Sequence, residues 1–475
     1  MARTSSRRRW ALFVVLAVVL FAAFLWVRPL LHIGAGYAAK HACSCHFLQG
    51  RNLADISERD LNFSVLGWAS LSTQKHEAGD GAVRASFLGL VPRVAVFRAG
   101  VGCTLINDER LPVKPVQSGR RRAGAGEVVK SSVRVDYLPA LEEALEFGME
   151  PVPGGGARGL VILQDGVVVG ERYGEGFDEN TLQLGWSATK TLVGMAWGYN
   201  RSDSLGPRSA RRAFERPVDV DSLNNPGALR PYGRSKALET LVNHDELYPA
   251  WAADARANIE LNDLLHMNSG LAWNEGYGSI TDATVMLHEQ PNMAAYAAGM
   301  FAEEAPGELW NYSSGTTNVL TDLLLQDLLA TNQNVYQLFD HLYGRVAPSL
   351  IIEPDQSGRP VGSSYGWATA RDWARLGQLM LQDGVWEGDT LLQPGWVDYM
   401  RQPAAGSDGT YGAQLWLPGP DMPSLPADAF MMRGFQDQRV FVIPSRDVVI
   451  ARLGHGEDKV TDFEGLVRRV LAALP

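Results

Sequence analysis

The stretch 159-GLVILQDGVVVGERYG-174 holds two runs of branched aliphatic residues joined by Asp165-Gly166. Asp-Gly accepts the left-handed backbone of a two-residue turn, so the stretch predicts a β-hairpin. Near the other end of the chain, 439-RVFVIPSRDVVIARLG-454 predicts a second hairpin. It is followed by 462-DFEGLVRRVLAAL-474, whose apolar residues recur at helical spacing, as they do in 136-DYLPALEEALEFG-148. Between the hairpins lie helical runs such as 259-IELNDLLHM-267, 316-TTNVLTDLLLQDLL-329 and 370-ARDWARLGQLMLQDG-384. The economical fold is α+β. An antiparallel sheet flanked by helices is built from both ends of this region, a mostly helical lobe spans roughly 205–380, and a cleft lies where the two meet.

A length of 475 residues suggests about two to three domains, and a net charge of -10 argues against a nucleic-acid partner. The N-terminus departs from this ordinary composition. Arg7, Arg8 and Arg9 precede an unbroken apolar run from Trp10 to Val27, closed by Arg28. The run is long enough to be a marginal membrane span, and arginines ahead of it favour an orientation that exports the rest of the chain. A retained anchor is the expectation, with a cleaved signal as the alternative, since Gly36-Tyr37-Ala38-Ala39 offers small residues downstream. The Pro, Gly and arginine content of 112-PVKPVQSGRRRAGAGE-127 reads as an exposed linker. The layout expected is therefore 1–30 as tail and anchor or signal, 31–130 as extension and linker, and 131–475 as the main domain.

Three cysteines allow one disulfide and one spare thiol. The segment 41-HACSCH-46 gathers His41, Cys43, Cys45 and His46, which raises a metal-handling alternative. Structural zinc sites usually draw on a second, distant pair of ligands, and none is present. No metal and no cofactor are expected.

In 185-GWSATKTLVGMAWGYN-200, Ser187 and Lys190 stand three residues apart ahead of an apolar run. A helix beginning near Ser187 brings both side chains to one face. Burial lowers a lysine's pKa, and a neutral amine can take the serine proton and leave a nucleophilic oxygen. The bland reading makes Ser187 a helix cap. His266 and His455 read as structural histidines, because Ser187 lacks the Gly-x-Ser-x-Gly elbow of a Ser-His-Asp enzyme. Trp186, Trp273 and Trp310 read as packing residues, and Glu275 and Asp282 as solvated loop carboxylates.

Several stretches in order carry a resemblance: 184-LGWSATKTLVG-194, 261-LNDLLHMNSGLAWNE-275, 306-PGELWNYSSGTTNVL-320, 364-SYGWATARDWARLGQLMLQDGVWEG-388, 411-YGAQLWL-417 and 433-RGFQDQRVFVIPSRDVVIARLG-454. Over most of residues 136–475 the chain resembles the exported serine hydrolases related to class C β-lactamases and penicillin-binding DD-peptidases. Its flavour is closest to the 6-aminohexanoate-dimer hydrolase and esterase branch. The resemblance implies Ser187 as the acylated nucleophile, Lys190 as its partner base and Tyr312 as the tyrosine of a Tyr-x-Asn element. A phenol beside a lysine ammonium is expected to ionise more easily. The resemblance also favours Cys43 over Cys45 as the partner of Cys103. Together with the N-terminal apolar run, the expectation is a catalytic domain outside the cytoplasm of a bacterial inner membrane, or secreted after cleavage.

Two departures shape the substrate expectation. Ser314 stands where asparagine is usual. The Lys-Thr-Gly element lacks its lysine, since none occurs between Lys236 and Lys459. The segment 430-FMMRGFQDQ-438 offers Arg433 as a carboxylate contact, with Gly434 or Phe435 supplying an oxyanion-hole N–H beside that of Ser187. Hydrolysis of small amides or esters is the leading expectation. The alternatives are a DD-peptidase or β-lactamase using Arg433, and a non-catalytic binding protein on the same fold.

Overall fold

Side chains alternate along Val448–His455: Val448 and Ile450 enter one apolar layer, while Val449 and Ala451 enter another. That is the period-two signature of a strand covered on both faces. The computed structural model describes residues 2–116, 133–200, 248–329 and 332–474. Near the N-terminus, β1 (Ala69–Gln74), β2 (Gly81–Phe87), β3 (Leu90–Arg98) and β4 (Gly102–Leu105) form a four-stranded antiparallel sheet in sequence order. The first expected hairpin is β5 (Gly156–Gln164) and β6 (Val167–Tyr173). Its turn residues Asp165 and Gly166 have φ of 50° and 73°, as the Asp-Gly pair predicts.

Three short strands, β7 (Leu182–Leu184), β8 (Ile351–Ile352) and β9 (Gly366–Thr369), make a small sheet in the order β7-β9-β8. A two-stranded ribbon follows, β10 (Val385–Trp386) with β11 (Asp389–Thr390). The last strands are β12 (Phe430–Gly434), β13 (Gln438–Ile443) and β14 (Val448–His455). The central sheet runs β12-β13-β14-β5-β6, and β14 pairs antiparallel with β5 through Ile450↔Ile162. Both ends of the domain thus meet in one sheet, which is the α+β arrangement expected.

The longest helices among the described residues are α1 (Ala2–Gln49), α2 (Thr189–Asn200), α3 (Ser314–Leu329), α4 (Ala370–Leu381) and α5 (Phe463–Ala473). Helix α5 covers one face of the central sheet, with Leu466 and Val470 in the layer that holds Phe441 and Ile450. Helix α4 covers the other. Gly377 permits this approach, because a Cβ there would fall 2.7 Å from Val449 and 3.0 Å from Val440. The run 370–384 therefore belongs to the sheet layers and not to the helical lobe expected over 205–380. Its amphipathic stripe shows that it has a buried face but not which partner covers it. Residues 205–247 of that lobe, and most of the expected linker, lie outside the described residues.

The boundary expected at residue 30 falls inside α1, which is continuous. Its residues 10–27 are largely exposed and apolar enough to cross a membrane, by length and composition. Beyond residue 32 the same helix enters the core: Ile33 is buried, and Ala35, Ala38, Ala39 and Ala42 pack against the N-terminal sheet. The small residues at 35, 38, 39 and 42 form one helical stripe that lets the sheet come close. Cys43 is disulfide-bonded to Cys103 on β4, and Cys45 is a buried free thiol. Lys40 forms a buried ion pair with Glu353, which also accepts from Ser44 and from the Cys103 N–H. These contacts bind α1 to the body of the protein.

Candidate active site

The chain leaves β7 at Leu184 and turns sharply into α2. Trp186 takes a left-handed φ of 47°, and a short 3-10 turn, Trp186–Ala188, carries Ser187 to the head of the helix. Two glycines make the crowding tolerable. A Cβ at Gly185 would fall 2.2 Å from the Trp373 ring, and one at Gly434 would fall 2.1 Å from the Gly185 carbonyl oxygen. The end of β12 is thereby drawn against the turn that holds Ser187.

Lys190 sits in the first turn of α2, and its side chain is buried. Its Nζ donates to Ser187 Oγ at 2.9 Å, Ser314 Oγ at 2.9 Å and the Ser363 carbonyl at 3.0 Å. Burial lowers the Lys190 pKa to about 8, against a smaller opposing pull from Glu275. The Tyr312 ring centroid lies 4.9 Å from the same nitrogen, and the ring packs edge-on to Tyr411 and against Trp416. Ser187, Lys190, Tyr312 and Ser314 therefore converge on one point.

The structure corrects the expected electrostatics of Tyr312. Burial and then the charge of Glu275 push its phenol above the usual range, while the Ser187 hydroxyl and Arg433 pull more weakly the other way. Desolvation outweighs any help that a neighbouring cation gives to the phenolate. Burial and the Glu275 charge both favour the protonated phenol over the phenolate.

Glu275 is also corrected. It is no solvated loop carboxylate. It accepts from the Ser314 N–H at 2.8 Å, Ser314 Oγ at 2.5 Å, Trp273 Nε1 at 2.6 Å and Tyr277 Oη at 2.7 Å. Its oxygen lies 4.0 Å from Lys190 Nζ. Ser314, in the place usual for asparagine, thus links the lysine to a carboxylate. Sequence reasoning missed this, although 273-WNEGY-277 puts Trp273, Glu275 and Tyr277 at alternate positions, the spacing that lets three side chains share one side of an extended segment. Asp282 instead accepts from the Asn274 N–H and Tyr296 Oη, a loop-fastening role.

Arg433 is half-buried on β12 with its guanidinium 4.4 Å from the Trp416 ring centroid. The indole packs on both Arg433 and Tyr312. Its neighbour Met432 is fully buried in the main core. Phe435 meets the Trp186 ring edge-on and stacks on Tyr277. Trp186 Nε1 donates to Gln436 Oε1 at 3.2 Å. Beyond Phe435 opens a cleft of about 1040 Å³ lined in part by Phe63, Arg158, Gln436 and His455.

The histidines lie elsewhere. His266 is buried against Tyr399, and burial lowers its pKa to about 4. Burial lowers His455 to about 3. Behind Trp186, the rings of Tyr37 and His41 from α1 stack nearly parallel to the indole. His41 Nε2 lies 3.0 Å from Asp60 and 3.4 Å from Cys45 Sγ, so these three cluster as metal ligands would. The carboxylate of this cluster is satisfied by arginines. Asp60 already binds the guanidinium groups of Arg51 and Arg158, and although burial opposes its charge, the neighbouring Cys45 and Asp60 raise the His41 pKa to about 9.

A family model described as Beta-lactamase matches residues 149–474. The chain is 22% identical over 381 residues to a 6-aminohexanoate-dimer hydrolase of Paenarthrobacter ureafaciens, covering 76% of this chain and 87% of that protein. A penicillin-binding protein homologue from Caulobacter crescentus superposes with a TM-score of 0.51 at 16% identity, covering 72% of this chain and 99% of its own. A family VIII carboxylesterase gives 0.51 at 13% identity, with the same coverage of 72% and 99%.

Proposed function

This chain belongs to the Beta-lactamase family and is a serine hydrolase, and from that premise we propose that it cleaves small amides or esters through an acyl-enzyme on Ser187. The observation that carries the proposal is the buried Lys190 amine, 2.9 Å from Ser187 Oγ with its pKa lowered to about 8. Near neutral pH a useful fraction of that amine is unprotonated. It takes the Ser187 proton as Oγ bonds to the substrate carbonyl carbon, giving a tetrahedral oxyanion. Backbone N–H groups of Ser187 and Phe435 are the donors we assign to that oxygen. Collapse breaks the bond to the leaving group, whose nitrogen or oxygen takes a proton from Tyr312 Oη as Lys190 restores it. Water then repeats the sequence on the ester of Ser187 and releases the acid.

Glu275 and Ser314 act in this scheme by holding Lys190. Arg433 is engaged with Trp416, and buried Met432 occupies the neighbouring position on β12. That supports esters and linear amides over β-lactams or peptidoglycan stems. We further propose that α1 stays attached as an anchor, with the catalytic domain outside the cytoplasm of a bacterial inner membrane. The layout follows: a membrane segment leading directly into the extension, then the hydrolase domain from about residue 131.

Treatment with a fluorophosphonate followed by peptide mass analysis is expected to place the adduct on Ser187. An adduct on another residue, or none, would sink the nucleophile assignment. A panel of p-nitrophenyl esters, linear amides and nitrocefin separates the substrate classes, with fast nitrocefin turnover counting against the preference stated here. Glu275→Gln supplies a second check. Glu275 holds the Lys190 pKa up, so removing its charge lets the pKa fall further. The acidic limb of the kcat/KM–pH profile is expected to move to lower pH. A shift to higher pH would contradict the coupling.

A further inference from the structure

The turn between β2 and β3 is made by Leu88 and Gly89, with φ of 51° and 74°. A two-residue hairpin turn of this kind prefers asparagine, aspartate or glycine at its first position. Leucine is strained there, and this one is 89% exposed. Trp68, immediately before the Ala69↔Phe87 pair, is 77% exposed, and Leu90 across the turn is 51% exposed. Three large apolar side chains thus cluster at one end of the N-terminal sheet. One of them occupies a backbone position that disfavours it.

The direction in which they project follows from α1. A Cβ at Gly81 would fall 2.6 Å from the Phe47 ring, and one at Gly34 would fall 3.3 Å from the Phe87 ring. β2 therefore runs antiparallel to α1, from the level of residue 47 to that of residue 34. The lengths agree, since six strand steps and thirteen helical steps each span about 20 Å. Past Phe87 the chain continues toward the exposed apolar half of α1, which ends at Val27-Arg28. Arg28 lies about 9 Å beyond Gly34 along the helix. Two further strand residues and a leucine side chain cover most of that distance.

We propose that the β2–β3 turn, with Trp68 beside it, is a second membrane contact: Trp68, Leu88 and Leu90 enter the headgroup region of the bilayer that α1 crosses. Continuity with the apolar helix names the occupant, and an amphipathic indole at that depth is where membrane proteins place tryptophan. The contact fixes the rotation of the domain about α1, so the hydrolase is held in one orientation against the surface rather than swinging on its anchor. The inference rests on α1 being an anchor and is independent of the chemistry at Ser187.

The test uses the full chain in phosphatidylethanolamine/phosphatidylglycerol vesicles, carrying an environment-sensitive fluorophore on a single introduced cysteine. Cys45 is buried and does not compete for label in the folded protein. The positions are Val18→Cys in the apolar run, Leu88→Cys at the turn, and Lys75→Cys at the opposite end of the sheet. Lipids bearing a nitroxide at the headgroup are expected to quench the Leu88 label at least twofold and the Lys75 label hardly at all. Deep-chain nitroxides are expected to quench the Val18 label. If Val18 is quenched while Leu88 matches Lys75, the anchor stands and the second contact is refuted. If Val18 is not quenched by any lipid, the anchor and this inference fail together. A Leu88 signal that shifts with protein concentration in detergent, without lipid quenching, would assign the patch to a second copy of the chain and overturn the proposal.

Discussion

Lys190→Met is expected to lower the rate of ester hydrolysis by about 10²–10⁴-fold, the range for loss of a positioned general base. Methionine keeps much of the side-chain volume, so the buried pocket stays filled. The amine that Ser187 Oγ and Ser314 Oγ both contact is lost. The wild-type pH profile should carry the same signature. Only the neutral amine accepts the serine proton, and the folded-state pKa is lowered to about 8. The neutral fraction therefore rises from about one tenth at one unit below that value to about nine tenths at one unit above it. kcat/KM for an ester should climb through that window and level off. Lys190→Met should flatten the climb as well as lower the rate. A variant that kept the wild-type rate, or kept the rise near pH 8, would remove Lys190 from the mechanism. Thermal melting of the two proteins separates lost chemistry from lost folding.

The pairing of Ser187 with Lys190 was legible because its signals are local. Ser187 and Lys190 are three residues apart, and the apolar run behind them predicts burial. The hairpin at Asp165-Gly166 was legible for the same reason. Glu275 was not, because a carboxylate in a glycine-rich loop carries no periodicity. Its role depends on Ser314, 39 residues away in sequence. The partner of α4 was equally hidden, since an amphipathic stripe reports a buried face without saying whether sheet or helix covers it. Tyr312 shows a different limit. Its place beside Lys190 is as expected, yet burial reverses the expected direction of its pKa. Sequence can suggest which charges are neighbours, but desolvation is set by everything packed around them.

Burial along α1 bears on whether the apolar run is a retained anchor or a cleaved signal. Cleavage after Ala39 would leave a chain beginning at Lys40, without Ala35, Ala38 and Ala39 of the N-terminal core and without the buried Ile33. Losing Ile33 alone costs about 2–5 kcal/mol by the usual cavity arithmetic, against a total stability of about 5–15 kcal/mol for a typical domain. The cut also removes Tyr37, whose ring stacks with His41 and Trp186, one residue before Ser187. It further removes His32, which bonds Glu289 at 2.6 Å. A chain beginning at Pro29 keeps every one of these groups and loses the exposed apolar run with the arginines that flank it. The Pro29 chain is expected to melt cooperatively and to hydrolyse esters at a rate within a few fold of the full protein. The Lys40 chain is expected to aggregate, or to melt far lower with little activity. Circular dichroism and an ester assay on both chains decide the matter. If the Lys40 chain were as stable and active as the Pro29 chain, the buried half of α1 would be dispensable and a cleaved signal would become the better reading. If it is not, the buried half of α1 is needed to hold Trp186 and the turn that carries Ser187, and a cut that removes it is incompatible with the fold.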